Sequence, residues 1–237
     1  MFLYYTAILI IVIFTIVFGT LSVISSLFDK TGKIQHLIST YWGKFILKFT
    51  GIKVEVKGLE NLNSLGTFVL MPNHQSLYDI PILLSSIPFQ FSFLAKESLF
   101  RIPILGWHLS TARHIRIDRS NTRDGVRSLL EGVKKIKEGI SLLIFPEGTR
   151  SIDNRIGSFK IGGFVMAIKA GIPIVPITIN GTGKIIKKGE KRFRPARVTL
   201  IIDSPIETKN YTLEDKNALA EKVRQRILDN WNPDLNS

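Results

Sequence analysis

Residues Phe2 to Phe28 carry no charged side chain. The run reads Phe-Leu-Tyr-Tyr-Thr-Ala-Ile-Leu-Ile-Ile-Val-Ile-Phe and continues in kind. As a helix rising 1.5 Å per residue it is about 40 Å long, enough to cross a bilayer. A cleaved signal peptide fits poorly: no basic stretch leads the run, its apolar core is too long, and no Ala-x-Ala site follows. The first charges, Asp29, Lys30 and Lys33, all come after it. The positive-inside rule then places the remaining chain on the cytoplasmic side of a cell membrane.

The next stretch has a different pattern. Ile34, Leu37, Ile38, Tyr41, Trp42, Phe45, Ile46 and Phe49 recur at helical spacing and form one apolar stripe. Lys33, Gln35, Ser39, Thr40, Lys44 and Lys48 occupy the other sides. Aromatic residues on the stripe with lysines beside it suit a helix lying in the membrane interface. The alternative is an ordinary amphipathic helix capping a soluble core. Directly after an apolar anchor the interfacial reading is preferred, so residues 1–50 are expected to form an N-terminal membrane-anchoring helix pair. That pair either spans the membrane or dips as a hairpin into one leaflet.

Residues 51–237 alternate short apolar runs with helical patterns. The strand-like runs are 53–57, 67–71, 91–95, 114–117, 141–145, 173–179 and 197–202; helix-like stretches lie near 77–87, 103–111, 121–138, 159–170 and 212–230. Several strands are unbroken apolar runs, as expected when both faces of a sheet are covered. The expected fold is therefore α/β, a mostly parallel sheet of about seven strands flanked by helices. Ligands of such sheets gather beyond the carboxyl ends of the strands.

Two polar turns stand at such ends. The run Thr67-Phe68-Val69-Leu70-Met71 leads to Asn73-His74-Gln75-Ser76-Leu77-Tyr78-Asp79, and Ile80-Pro81-Ile82-Leu83-Leu84 then reads as a helix. His74 and Asp79 are five apart and would diverge on a continuous helix. They meet if His74 lies in the turn and Asp79 in the first helical turn. Ser76 is expected as N-cap with Asp79 three residues on, a capping-box spacing, and Pro81 is tolerated that early in a helix. Asp79 would then accept the Nδ1 proton of His74 and leave Nε2 free as a general base. A purely structural cap has the same spacing. The second turn follows Ser141–Phe145 and reads Pro146-Glu147-Gly148-Thr149-Arg150-Ser151. Gly148 permits positive φ or close approach of a ligand. Glu147 could accept hydrogen bonds from a polyol, and Arg150 offers a planar fork for a phosphate. Both would stand beside His74 if the two strands are neighbours.

Other cations are candidates. Lys96 sits just past the strand-like run 91–95 and could bind an anion; Arg116 and Arg119 could add phosphate contacts, or could be surface ion-pair residues. Alternation places Arg113, Ile115 and Ile117 on one face and His114, Arg116 and Asp118 on the other. Residues 184–197 hold Lys184, Lys187, Lys188, Lys191, Arg192, Arg194 and Arg197 against one acid, Glu190. On an anchored protein such a run suits anionic headgroups, or the docking of an acidic carrier protein. The formal net charge of +13 demands an acidic partner of some kind. No helix-turn-helix or aromatic-interleaved basic motif points to nucleic acid, and the anchor explains the charge better. With no cysteine, a disulfide framework or Cys metal site is impossible. His36, His74, His108 and His114 show no ligand spacing either, so no metal is expected. The stretch 212–230 looks like scaffold.

Asn-His-Gln-Ser-Leu-Tyr-Asp and Phe-Pro-Glu-Gly-Thr-Arg-Ser together resemble the glycerolipid acyltransferase family, and more narrowly its 1-acyl-glycerol-3-phosphate (lysophosphatidic acid) acyltransferases. Four blocks stand in order: His74 to Asp79, Ile115 to Arg119, Phe145 to Arg150, and Ile172 to Ile177; the run Lys96-Glu97-Ser98-Leu99…Pro103…Gly106 also matches. The resemblance covers roughly residues 50–205. It implies transfer of a fatty acyl group from a thioester, on acyl carrier protein or coenzyme A, to the sn-2 hydroxyl of lysophosphatidic acid, giving phosphatidic acid in a membrane. His74 and Asp79 would be catalytic. Arg150, Lys96 and Arg116 would meet the acceptor phosphate, within a substrate site that also includes Glu147, Gly148 and Thr149. No cofactor beyond the thioester co-substrate is implied, and no Ser or Cys nucleophile, so direct transfer is expected. Backbone amides near Val175–Ile177 are candidate oxyanion donors. Glycerol 3-phosphate or another lysophospholipid as acceptor, and thioester hydrolysis by the same dyad, remain alternatives.

Overall fold

A computed structural model describes residues 1–118, 122–153 and 155–235. The elements run α1 (Phe2–Ser25), α2 (Lys33–Thr50), β1 (Lys53–Lys57), β2 (Val69–Pro72), α3 (Asp79–Ser86), β3 (Phe91–Lys96), α4 (Leu105–Thr111), β4 (Ile115–Ile117), α5 (Thr122–Lys137), β5 (Ser141–Leu143), α6 (Gly162–Ala170), β6 (Ile174–Asn180), β7 (Arg197–Ile202) and α7 (Lys216–Asp229). The strands form one sheet in the order β1-β7-β6-β2-β5-β3-β4. Every neighbouring pair is parallel except β6 with β7. This is the expected α/β architecture, with β2 as the central strand.

Burial on both sheet faces explains the unbroken apolar strands. Leu70, Leu143 and Val175 join one core layer with Ile46 and Leu47 of α2 and Ile82 and Leu83 of α3. Their neighbours Val69, Leu142 and Ile174 join the opposite layer with Phe164 of α6 and Leu219, Val223 and Ile227 of α7. One sequence period of two thus feeds two separate helix layers.

Of the helices described, α1 is long and apolar enough to cross a membrane, and it keeps most of its large apolar side chains exposed. The chain then turns on Asp29, whose carboxylate accepts the Thr31 N–H and O–H at 2.7 and 2.6 Å and the Ile34 N–H at 2.8 Å. The stripe of α2 is divided in an instructive way. Ile34, Leu37, Tyr41, Phe45 and Phe49 stay exposed, whereas Gln35, Ser39 and Gly43 are buried. A helix of a water-soluble protein turns its apolar stripe inward; this one buries Ile46 and Leu47 beside small and polar residues but leaves Tyr41, Phe45 and Phe49 outward, which fits membrane association. Gly43 lets α2 lie directly on α3: a Cβ there would sit 2.6 Å from the Pro81 carbonyl oxygen. Trp42 Nε1–H donates to Thr15 Oγ1 at 3.2 Å, and Ser22 Oγ lies 2.7 Å from His108 Nδ1, tying the helix pair together and to α4.

Several local expectations are corrected. β4 begins at Ile115, because Arg113 takes φ of 64° and breaks the extended run. The alternation expected over 113–118 therefore fails: His114 is buried and accepts the Phe93 N–H on Nδ1 at 3.1 Å, while Arg116 is exposed. α7 begins four residues late because Thr212 N–H and O–H both donate to Asp215, making a turn of the expected first helical turn. Arg119 lies outside the described residues.

Candidate active site

The carboxyl end of β2 stands between those of β5 and β6, so the turn that leaves it is braced from both sides. On the β6 side Asn73 acts as a splice. Its Oδ1 accepts the Ile179 N–H at 2.7 Å and its Nδ2 donates to the Ile179 carbonyl at 3.1 Å. On the β5 side Glu147 is buried; its Oε1 accepts the His74 N–H at 2.8 Å and its Oε2 the Gly157 N–H at 3.1 Å. Burial pushes the Glu147 carboxyl above the usual range, and the two amides pull it part of the way back. The Ser151 N–H donates to the His74 carbonyl at 2.9 Å, closing the link between the two motif turns.

His74 and Asp79 meet. Nδ1 lies 2.8 Å from Asp79 Oδ2, and the same oxygen accepts the Gln75 and Ser76 N–H groups at 2.7 and 2.9 Å. An acceptor already serving two amides holds the proton of this pair on Nδ1 and leaves the lone pair on Nε2. Half of the expected capping box forms: Asp79 reaches back to the Ser76 amide, but Ser76 is not the cap. Its hydroxyl donates to the Ile186 carbonyl at 3.1 Å, a partner 110 positions away that local spacing does not reveal. The His74 ring stacks on Phe145, centroids 3.9 Å apart at 21°. Phe145, the last residue of the apolar run before Pro146, went unnoticed as a site residue because its aromatic face reads as core.

The imidazole forms part of the wall of a cavity of about 520 Å³. Lys96, Thr149 and Arg150 share that wall; most of the rest is apolar and comes from α1, α2, α3 and β3. Among the described residues neither Lys96 nor Arg150 has an ion-pair partner, so two cations stand uncompensated beside the histidine. Gly148 takes φ of 74° and turns the chain so that Thr149 and Arg150 face the cavity while Glu147 faces the backbone.

Three expected substrate contacts are placed elsewhere. Both Glu147 oxygens are engaged by backbone amides and the residue does not line the cavity; nor does Gly148. Arg116 holds its guanidinium 4.8 Å from the Phe100 ring centroid, also away from the cavity wall. The stretch Val175–Ile177 lies inside β6, paired to β2, and Pro176 has no N–H to offer. Replacing Glu147 by Gln leaves one of the two amides facing an NH2 group instead of an oxygen. The expected cost is about 1–3 kcal/mol, read as a lower denaturant midpoint; an unchanged midpoint would show that the brace carries no stability.

Comparison with known proteins gives the same picture. Residues 53–180, more than half of the chain, match the family described as Acyltransferase. A chloroplastic 1-acyl-sn-glycerol-3-phosphate acyltransferase of Brassica napus is 39% identical over 203 residues, 83% of this chain and 58% of that protein, so the chain spans under two thirds of that relative's length. The 1-acyl-sn-glycerol-3-phosphate acyltransferase of Saccharomyces cerevisiae is 32% identical over 211 residues, 88% of this chain and 69% of its own. The crystal structure of the 1-acyl-sn-glycerophosphate (LPA) acyltransferase PlsC from Thermotoga maritima superposes with a TM-score of 0.84 at 30% identity, covering 97% of this chain and 93% of that one. A central strand that delivers a carboxylate-paired histidine into an apolar cavity thus sits within a matched sequence and a matched fold, and the chain belongs to the Acyltransferase family.

Proposed function

We propose that this protein transfers a fatty acyl group from a thioester, carried by coenzyme A or acyl carrier protein, to the sn-2 hydroxyl of lysophosphatidic acid, giving phosphatidic acid. One observation carries the reading: His74, paired with Asp79, lines an apolar cavity beside the uncompensated Lys96 and Arg150. This arrangement supports the reading because the reaction needs a base, room for a hydrocarbon chain and cations for a phosphate. The named activity of the relatives supports the same reaction.

In this reading Nε2 of His74 takes the proton of the sn-2 hydroxyl as its oxygen attacks the thioester carbonyl carbon. The tetrahedral intermediate collapses, the carbon–sulfur bond breaks, and the departing thiolate takes the proton back from the imidazolium. Asp79 stabilises that imidazolium while it exists. No acyl-enzyme forms. α1 and α2 hold the site at the membrane, with the α/β domain of residues 51–237 on the cytoplasmic side, since Lys30 and Lys33 follow the apolar helix.

Purified protein given a thioester donor and lysophosphatidic acid is expected to form phosphatidic acid. Thioester loss that does not need the acceptor would instead identify a hydrolase, and preference for glycerol 3-phosphate a different acceptor class. Arg150→Ala is expected to raise KM for lysophosphatidic acid roughly 10- to 100-fold, the loss of one charge-assisted contact, with kcat changed far less. An unaltered KM would make Arg150 a structural residue.

A further inference from the structure

The segment after β6 folds back over both motif turns. Its Ile186 carbonyl accepts the Ser76 hydroxyl, which fixes the segment to the histidine turn. Two residues on, Lys188 is half-buried, as are Lys184 and Lys187, and differs from them in what its ammonium holds. Its Nζ donates to Thr149 Oγ1 at 3.1 Å and to the Arg150 carbonyl at 3.0 Å. Thr149 and Arg150 both line the cavity, and Lys188 has no ion-pair partner among the described residues.

The donor arithmetic gives this contact a direction. An ammonium has only hydrogens to offer, so Thr149 Oγ must act as acceptor toward Lys188. Its own proton is then free to point at something else. The group that gains from a hydroxyl proton and a guanidinium side by side on a cavity wall is an oxyanion with several acceptor oxygens. The Arg150 backbone, held by the same lysine, fixes where the guanidinium starts. Lys188 does not itself line the cavity; it acts through Thr149 and Arg150, which do.

We propose that Lys188 is a positioning and selectivity residue for the phosphorylated acceptor: it orients the Thr149 hydroxyl as a donor, anchors Arg150, and makes the site favour a phosphomonoester over an uncharged glycerolipid. This rests on the acyl-transfer reading above and adds to it a residue that neither motif contains. It also divides the basic segment into two parts. Lys188 serves the site, while most of the remaining cations stay available to a surface or partner.

The test compares lysophosphatidic acid with the monoacylglycerol of the same chain, using the full-length protein in detergent micelles with saturating acyl-coenzyme A. Lys188→Met keeps the length and removes the charge; Lys188→Arg keeps the charge. The Met variant is expected to lower the ratio of kcat/KM for the phosphorylated over the unphosphorylated acceptor about tenfold or more, through KM for lysophosphatidic acid, with KM for the donor unmoved. The Arg variant is expected to restore most of the ratio. A merely structural lysine would depress both acceptors alike and leave the ratio unchanged, which would overturn the assignment; so would a Met variant indistinguishable from wild type. Calorimetric binding of each acceptor without acyl donor supplies a readout that needs no turnover. If wild type binds lysophosphatidic acid more tightly than monoacylglycerol and Lys188→Met erases the difference while no transfer is seen, the reaction fails and the assignment stands. If transfer is seen and the difference survives Lys188→Met, the assignment alone fails.

Discussion

Purified His74→Ala is expected to lose about 10³-fold in turnover with little change in KM for either substrate. The sn-2 hydroxyl is a neutral alcohol and a poor nucleophile; a positioned base contributes about 10²- to 10⁴-fold. In this fold few groups stand in for the lost ring. Asp79 is buried behind it and spends one oxygen on two backbone amides. Glu147 is committed to the His74 and Gly157 amides. Affinity is expected to survive because the cations proposed to meet the phosphate, Arg150 and Lys96, and the apolar wall are untouched. The fold should survive too: the His74 N–H and carbonyl, which hold Glu147 and Ser151, belong to the backbone. What stability is lost is the stacking on Phe145, worth about 0.5–1.5 kcal/mol, and the hydrogen bond to the buried Asp79 carboxylate, worth about 1.5–3 kcal/mol. Steady-state kinetics beside a denaturation curve separates the two effects. Turnover at the wild-type level in a folded variant would end the assignment of His74 as base.

The periodic parts of this chain were the legible parts. β1 and β7 occur at 53–57 and 197–202 as read, and the helix over 122–137 falls within its expected stretch, because each repeats a local pattern that packing has no reason to overrule. The pairing of His74 with Asp79 was permitted by their spacing across one turn and its helix start, but a structural cap has the same spacing, and it was the resemblance that made the pair an expectation. What spacing does not carry is order across the sheet. That β2 stands between β5 and β6 is a non-local fact, and Asn73 bonding to Ile179, Ser76 to Ile186 and Glu147 to His74 all follow from it. Residues expected to act locally or on substrate were therefore claimed by distant backbone. The α2 stripe shows the converse. The apolar face was visible, but only packing reveals that Gln35, Ser39 and Gly43 join Ile46 and Leu47 on the buried side while Tyr41, Phe45 and Phe49 face outward. In a run of seven cations, nothing in the sequence marks Lys188 as the one bonded to Thr149 and Arg150.

Asp79→Asn is expected to lower turnover about 10²- to 10³-fold while leaving the turn recognisably intact, and the direction of the amide explains both halves. The Gln75 and Ser76 N–H groups converge on one carboxylate oxygen, so an asparagine must place its carbonyl there. His74 Nδ1–H then still finds an acceptor, and the tautomer that leaves Nε2 unprotonated is kept. What disappears is the negative charge that, in the proposed mechanism, stabilises the imidazolium, and a charge-assisted bond becomes a neutral one about half as strong. The new NH2 falls at the position of Asp79 Oδ1, which is buried and has no hydrogen-bond partner. An unsatisfied donor there costs about 1–3 kcal/mol of stability, so the denaturation midpoint falls even though the backbone bonds remain. The decisive measurement is the double variant. If Asp79 acts only through the ring, adding Asp79→Asn to His74→Ala lowers turnover no further than His74→Ala alone. A second, independent drop would give Asp79 a role in the reaction apart from the histidine. Wild-type turnover in the single variant would mean that the carboxylate shapes the turn and leaves the chemistry to His74.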